Sequence, residues 1–185
     1  GNINNDVRGK NNITESGTNN TLMMGENNIV KGFSRNNIIA GNRNEIAHGV
    51  NNSYVYGTLA QATADNSIVL GANASGDNLA ERQSIQLMYG GQTTAGGTVD
   101  SYLNNVTDSF FVVPDNTIMY FHADVVAVRV GGTNTGNTGD FASFVERGVV
   151  INKSGTLSIS RERDAIKSSV CVTAWRPVAN VSGAN

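Results

Sequence analysis

Few side chains in this sequence are placed to act together as acid, base, nucleophile or metal ligand. The chain has two histidines, His48 and His122. His48 stands beside Gly49, with Arg43 and Glu45 upstream, and reads as a surface residue at a repeat edge. His122 and Asp124 lie two apart, on the same side of a strand. A metal would need further ligands, and none stands at a recognisable spacing. Only an oligomer axis gathering copies of His122 into a ring would supply them, and a structural histidine on a strand is the commoner case. The one cysteine, Cys171, rules out an intrachain disulfide and a cysteine-cluster zinc site. It alternates with Val170 and Val172 and reads as a small packing residue.

Acid–base chemistry fares no better. No G-x-S-x-G elbow occurs. A glycosidase needs two carboxylates roughly 5–10 Å apart. The available ones (Asp100, Asp108, Asp115, Asp124, Asp140, Glu146, Glu162 and Asp164) are scattered, and would have to meet across a subunit boundary. The loop Gly131 to Gly139 lacks the lysine and following helix of a phosphate cradle; it reads as an exposed tip loop. The expectation is therefore a protein that is not an enzyme and has no cofactor. Binding is the better-supported chemistry. Tyr102, Asn104, Asn105, Asn134, Asn137 and Arg161 offer flat rings and hydrogen-bonding groups suited to sugars, in contexts that read as loops on a β scaffold.

Composition narrows the class further. The 185 residues include 13 Lys+Arg and 15 Asp+Glu, for a net charge of −2. That excludes nucleic-acid binding by bulk charge. Charged residues make up 15% of the chain, well under the usual share of about 25%. Glycine (21) and asparagine (26) take their place. No apolar run reaches the roughly 18–20 residues of a membrane-spanning helix, so no membrane insertion is expected. The chain opens on Gly1 rather than Met, and is expected to be a fragment of a longer protein.

The asparagines are periodic. Pairs fall at Asn4-Asn5, Asn11-Asn12, Asn19-Asn20, Asn27-Asn28, Asn36-Asn37 and Asn51-Asn52, with Asn44-Glu45 in the vacant slot. Gly9, Gly17, Gly25, Gly32, Gly41, Gly49 and Gly57 keep step. Between them sit Ile29-Val30, Ile38-Ile39, Ile46-Ala47, Tyr54-Val55 and Ile68-Val69. Short β-branched strands separated by residues that tolerate positive φ fit a parallel solenoid whose coils stack like residues into ladders. Two such units make a coil of about 14–16 residues, too slender to bury much apolar area. Identical neighbours are expected to supply the remainder, with Ile29, Ile38, Ile46, Val55, Ile68 and Leu70 as oligomer-core candidates.

The stretch Asn66-Ser67-Ile68-Val69-Leu70-Gly71-Ala72-Asn73-Ala74-Ser75-Gly76 resembles the head repeat of trimeric autotransporter adhesins, a repeat that also occurs in bacteriophage tail fibres. Residues 77–175 resemble a C-terminal domain of tail-fibre-like proteins. That likeness rests on Gln83-Ser84-Ile85-Gln86-Leu87, Gly91-Gln92-Thr93-Thr94, Val113-Pro114-Asp115-Asn116-Thr117, Asp140-Phe141-Ala142-Ser143-Phe144 and Trp175, in that order. It implies a homotrimer and an extracellular, virion-borne fibre. The implied partners are the remainder of that fibre and a host-surface glycan or outer-membrane protein. A bacterial adhesin head and a tailspike depolymerase are the alternatives.

The expected fold is all-β: a parallel β-roll over 1–76, a connecting strand and Gly-rich linker over 77–97, and an antiparallel β-sandwich over 98–185. Its strands are expected at Ser84 to Tyr89, Phe110 to Val113, Thr117 to Val130, Phe141 to Glu146, Val149 to Asn152, Thr156 to Ser160 and Ser169 to Trp175. Thr117 to Val130 is expected to be buried on both faces, and Arg161 to Lys167 to form a solvated loop.

Overall fold

The computed structural model describes residues 1–74, 76–92, 99–131, 136–169, 175 and 178–180, all in strands, turns and loops. The chain divides into two compact units, Gly1–Phe111 and Val112–Asn185. The division falls further along than the expected boundary near residue 97, so the segment carrying Tyr102 belongs to the first unit.

The first unit begins as a parallel solenoid. Its long strands are β1 (Asp6–Lys10), β3 (Leu22–Glu26), β5 (Ile38–Asn42), β7 (Tyr54–Thr58) and β9 (Ile68–Ala72). Between them lie two-residue strands: β2 (Ile13–Thr14), β4 (Ile29–Val30), β6 (Glu45–Ile46) and β8 (Gln61–Ala62). Like strands pair in parallel, Asp6 with Leu22, Leu22 with Ile38 and Ile38 with Tyr54. The repeat is thus a full coil of 16 residues, shortening to 14 at the last step, as in the Asn52–Asn66 contact. A third line of parallel bridges, Ile3–Asn19–Arg35–Asn51, completes each coil. Each of the first three coils has three lines of contact with the next, where the sequence pattern indicated two strands; the last step keeps only the β7–β9 pairing.

Stacking at β spacing sets the chemistry of the corners. Asn4, Asn20, Asn36, Asn52 and Asn66 occupy one corner, all with φ of 52–56°. Asn11, Asn27, Arg43 and Leu59 occupy another, at 53–55°. Asparagine tolerates this left-handed region better than most residues. The inward neighbours of the second corner act as staples. Asn44 donates to the carbonyls of Ala40 (3.0 Å) and Gly57 (2.8 Å) and accepts the Ala60 N–H (2.9 Å). Asn28 does the same one coil earlier, with Met24, Gly41 and the Asn44 N–H. Buried backbone groups that the bend would orphan are thereby satisfied.

Inside the coils lies a narrow apolar column. Met23, Ile39, Val55 and Val69 form one fully buried row, and Val30, Ile46 and Ala62 a second. The stack ends at β10 (Gln83–Gln86), which pairs antiparallel with β9. β11 (Tyr89–Gly90) and β12 (Tyr102–Leu103) then form a small antiparallel pair.

The described strands of the second unit form one antiparallel sheet, β13 (Thr117–Val128), β14 (Phe141–Lys153) and β15 (Thr156–Ser168). Phe110 to Val113 forms no strand. Most of the expected strand Ser169 to Trp175 lies outside the described residues. Two expected strands fuse into β14, because Gly148 lets β15 pass close by. A Cβ there would meet the Ser160 carbonyl oxygen at 2.2 Å. The expected loop Arg161 to Lys167 instead continues β15, its charges pairing across the sheet. Only one face of β13 is covered; Ile118 and Val126 on the other are 75% and 69% exposed.

Glycine is obligatory where coils touch. A Cβ on Gly41 (φ +119°) would sit 2.0 Å from the Gly57 carbonyl oxygen, whereas one on Gly49 (φ +75°) meets nothing within 4 Å. Gly49→Ala is expected to lower unfolding free energy by roughly 1–2 kcal/mol, the cost of a left-handed alanine. Gly41→Ala should lower it by more than about 4 kcal/mol. Urea unfolding of the two variants checks this; equal losses would show that coil spacing is not what selects glycine.

Candidate functional site

Outward-facing residues of the long strands build a continuous surface along the first unit. Strand alternation buries Met23, Ile39, Val55 and Val69 and turns their neighbours out. The neighbours form two rows, Leu22–Ile38–Tyr54–Ile68 and Met24–Ala40–Tyr56–Leu70. Tyr54, Ile68 and Leu70 are 42%, 41% and 52% exposed. The rows are polar at their ends. Asp6 and Arg8 precede them in register and form an ion pair at 2.6 Å; Ser84 and Gln86 of β10 follow. The Arg8 hydrogen bond and charge hold the Asp6 carboxyl below the usual carboxylate range.

The six oligomer-core candidates separate into three groups. Ile38, Ile68 and Leu70 lie on this outward face. Ile46 and Val55 do not: both are fully buried in the chain's own column, so neither is available to a neighbouring copy. Ile29 lies on the outer row of the short strands, which turns polar at Glu45 and Gln61. There Glu45 accepts the Gln61 amide (2.8 Å) and pairs with Lys31 (3.1 Å).

The binding candidates also divide. Tyr102 packs its ring against Phe110, with centroids 5.4 Å apart. Asn104 and Asn105 follow it in a turn, both left-handed at φ 56° and 58°. These two line a shallow depression of about 340 Å³ with Asn66, Met88, Tyr89 and Gly90. Asn137 sits in a different unit, in a turn where its N–H donates to the Asp140 carboxylate (2.6 Å). Asn134 lies outside the described residues, as does Cys171. Sequence reasoning missed Met88 and Tyr89, which stood at the end of an expected strand. It also missed Asn66, which stood as one of many repeat asparagines.

Arg161 is the candidate that the structure reassigns. It pairs with Glu146 (3.3 Å), a carboxylate only 3% exposed, and its guanidinium also donates to the Ala179 carbonyl. Glu146 in turn accepts the Ala179 N–H (3.0 Å). Arg161 therefore anchors the chain's own 178–180 segment. Trp175, from the same end of the chain, packs on the cluster of Ala142 and Phe144.

Across the open face of the second unit, His122 and Asp124 pair at 3.3 Å. Arg147 binds Glu162 (2.6 Å) and Asp164 (3.3 Å). The Glu162 hydrogen bond and charge, with the charge of Asp164, hold that guanidinium more firmly protonated than usual. Among the described residues no three His, Cys, Asp or Glu side chains gather to hold a metal. The chain matches no family model, no curated protein and no solved structure.

Glu146→Ala is expected to release the 178–180 segment, since a buried acceptor serving one N–H and one guanidinium is lost. The Ala179 amide should exchange with solvent roughly tenfold faster. Asp124→Ala, on the exposed face, should leave that rate unchanged. Hydrogen exchange read by NMR checks both, and unaltered Ala179 protection in the Glu146 variant would remove it as the anchor.

Proposed function

We propose that this chain is a structural and host-attachment element of a phage tail fibre, working as a homotrimer. The observation that carries the reading is the pair of outward apolar rows, Leu22–Ile38–Tyr54–Ile68 and Met24–Ala40–Tyr56–Leu70, lying on a column whose own core is one or two side chains wide. A stable solenoid needs that face covered. A second copy is the fitting occupant. It brings rows of the same spacing, bounded by the same polar ends, so apolar meets apolar and the ends stay wetted. The second unit also leaves apolar side chains exposed: its open face carries Ile118, Tyr120, Val126 and Val128, with the charged groups His122, Asp124, Arg147, Glu162 and Asp164 between them.

Such an assembly acts by avidity. Three weak surface sites held on one stiff scaffold engage a repetitive host surface together, and the second and third contacts become intramolecular. The role is binding rather than catalysis. The β-roll serves as the rigid spacer, and the antiparallel unit, completed as a sandwich within the trimer, forms the tip. The partners are the remainder of the fibre and a surface glycan or outer-membrane protein.

Light scattering should return about three times the 19.5 kDa chain mass. Tyr56→Asp and Leu70→Asp place charge on the outward rows while leaving each coil's interior intact. Both variants are expected to shift the mass to that of a single chain without losing β-sheet circular dichroism. A well-folded wild-type protein at 19.5 kDa would end the trimer reading.

A further inference from the structure

The asparagine ladder at the first corner has a direction. Asn4 donates through its side-chain N–H to Asn20 Oδ1 (3.2 Å), Asn20 to Asn36 (3.1 Å), Asn36 to Asn52 (3.0 Å) and Asn52 to Asn66 (3.1 Å). Asn20, Asn36 and Asn52 each accept and donate, so the chain of hydrogen bonds polarises along its length. Asn66 is the last member. Among the described residues its side-chain N–H group has no acceptor. The ladder therefore ends in an exposed, polarised donor.

Asn66 is one of the residues that line the depression already described. Met88 and Tyr89 supply apolar surface there, at 64% and 47% exposure. The Tyr89 hydroxyl is engaged, accepting the Phe111 N–H (3.0 Å). Asn104 donates to the Asp65 carbonyl (2.8 Å), which fixes its amide and leaves Oδ1 as an acceptor. Asn105 closes one side, its Cβ 3.2 Å from where a Cβ on Gly90 would stand. Every lining residue is uncharged.

We propose that this depression is a saccharide subsite that takes a neutral sugar residue. An apolar patch with an aromatic ring fits the C–H face of a pyranose. Amide donors and acceptors fit its hydroxyls, each of which both donates and accepts. The lack of charge in the lining selects a neutral ring over an acidic one. The site supplies the single weak contact that the attachment reading multiplies, and it rests on that reading for the choice of ligand class.

Three substitutions test it in the full chain. Asn66→Asp keeps the oxygen that accepts from Asn52 and a residue type that tolerates left-handed φ, but removes the terminal donor. Gly90→Ala adds one methyl at the wall, at a position without left-handed φ. Tyr89→Phe keeps the ring and removes only the engaged hydroxyl. The probes are methyl glycosides of glucose, galactose, mannose and N-acetylglucosamine, with methyl glucuronide as the acidic comparator. Binding is read by saturation-transfer NMR and titration.

At least one neutral glycoside is expected to bind. Asn66→Asp and Gly90→Ala should weaken it roughly three- to tenfold, and Tyr89→Phe should not. No signal from any neutral glycoside, signal from the glucuronide alone, or equal affinity in all variants would overturn the site. The trimer is judged separately by mass. A trimer that binds none of the neutral probes overturns the subsite and leaves the fibre reading standing. A single-chain species that binds one with the expected variant pattern supports the subsite and removes the trimer.

Discussion

Coils in the first unit stack so closely that backbone meets backbone. At Gly9, Gly25, Gly41 and Gly57, a β-carbon would lie 1.9–2.2 Å from the carbonyl oxygen of the next glycine in the row. No side chain fits, so one position in every sixteen must be glycine, and the chain must bend there with φ above 100°. The bend leaves carbonyls and amides without strand partners. Asn28 and Asn44 satisfy them, each bonding two carbonyls and one N–H. Glycine and inward asparagine are thus two halves of one solution: the first permits the close approach, and the second satisfies the hydrogen bonds it disrupts.

The same spacing fixes the thinness of the core. Five-residue strands with alternating sides send one large apolar residue inward per coil, and the two-residue strands add one more. The residues left over, Ile38, Tyr54, Tyr56, Ile68 and Leu70, are as apolar as those inside. An isolated antiparallel sheet normally solves this by making one face polar. Along its two apolar outward rows this sheet stays apolar through the middle and turns polar at the ends, beside a polar third row of Lys10, Glu26, Asn42 and Thr58. That distribution is the physical basis for reading the face as one that another copy covers.

Much of this was legible in the residues. Asparagine pairs and glycines in step identified the parallel coil and its strands, because corner chemistry is written in residue type. The face assignment was not legible. Ile38 and Ile39 are adjacent, both isoleucine, and only the register decides that Ile39 is the buried one; the same ambiguity put Val55 and Ile46 on the wrong surface. In the second unit, the Arg147-Gly148 pair looked like a break between strands. The glycine is instead there to admit a neighbouring strand. Arg161 looked like a loop cation because its partners, Glu146 and Ala179, are 15 and 18 residues distant in sequence. Contacts of that range leave no local pattern.

A parallel stack offers its last strand as a template for further strands, so how this one terminates is informative. β10 returns antiparallel along β9, placing Gln83 opposite Gly71 and Ile85 opposite Val69. Reversing the direction breaks the alignment of glycine with glycine, and no further coil can repeat it. The inner asparagines of the second corner and the ladder of the first run out at the end of the stack. At the second corner Arg43 and then Leu59 take the outer position and Ala60 the inner one, and at the first Asn66 is left as the final donor. A cap that ends the backbone register cannot extend a side-chain ladder whose period is the coil itself. That Asn66 ends the ladder with no acceptor among the described residues is therefore a consequence of how the solenoid closes, and it falls beside the turn carrying Asn104 and Asn105. Structural termination and a hydrogen-bonding surface arise here from the same strand reversal.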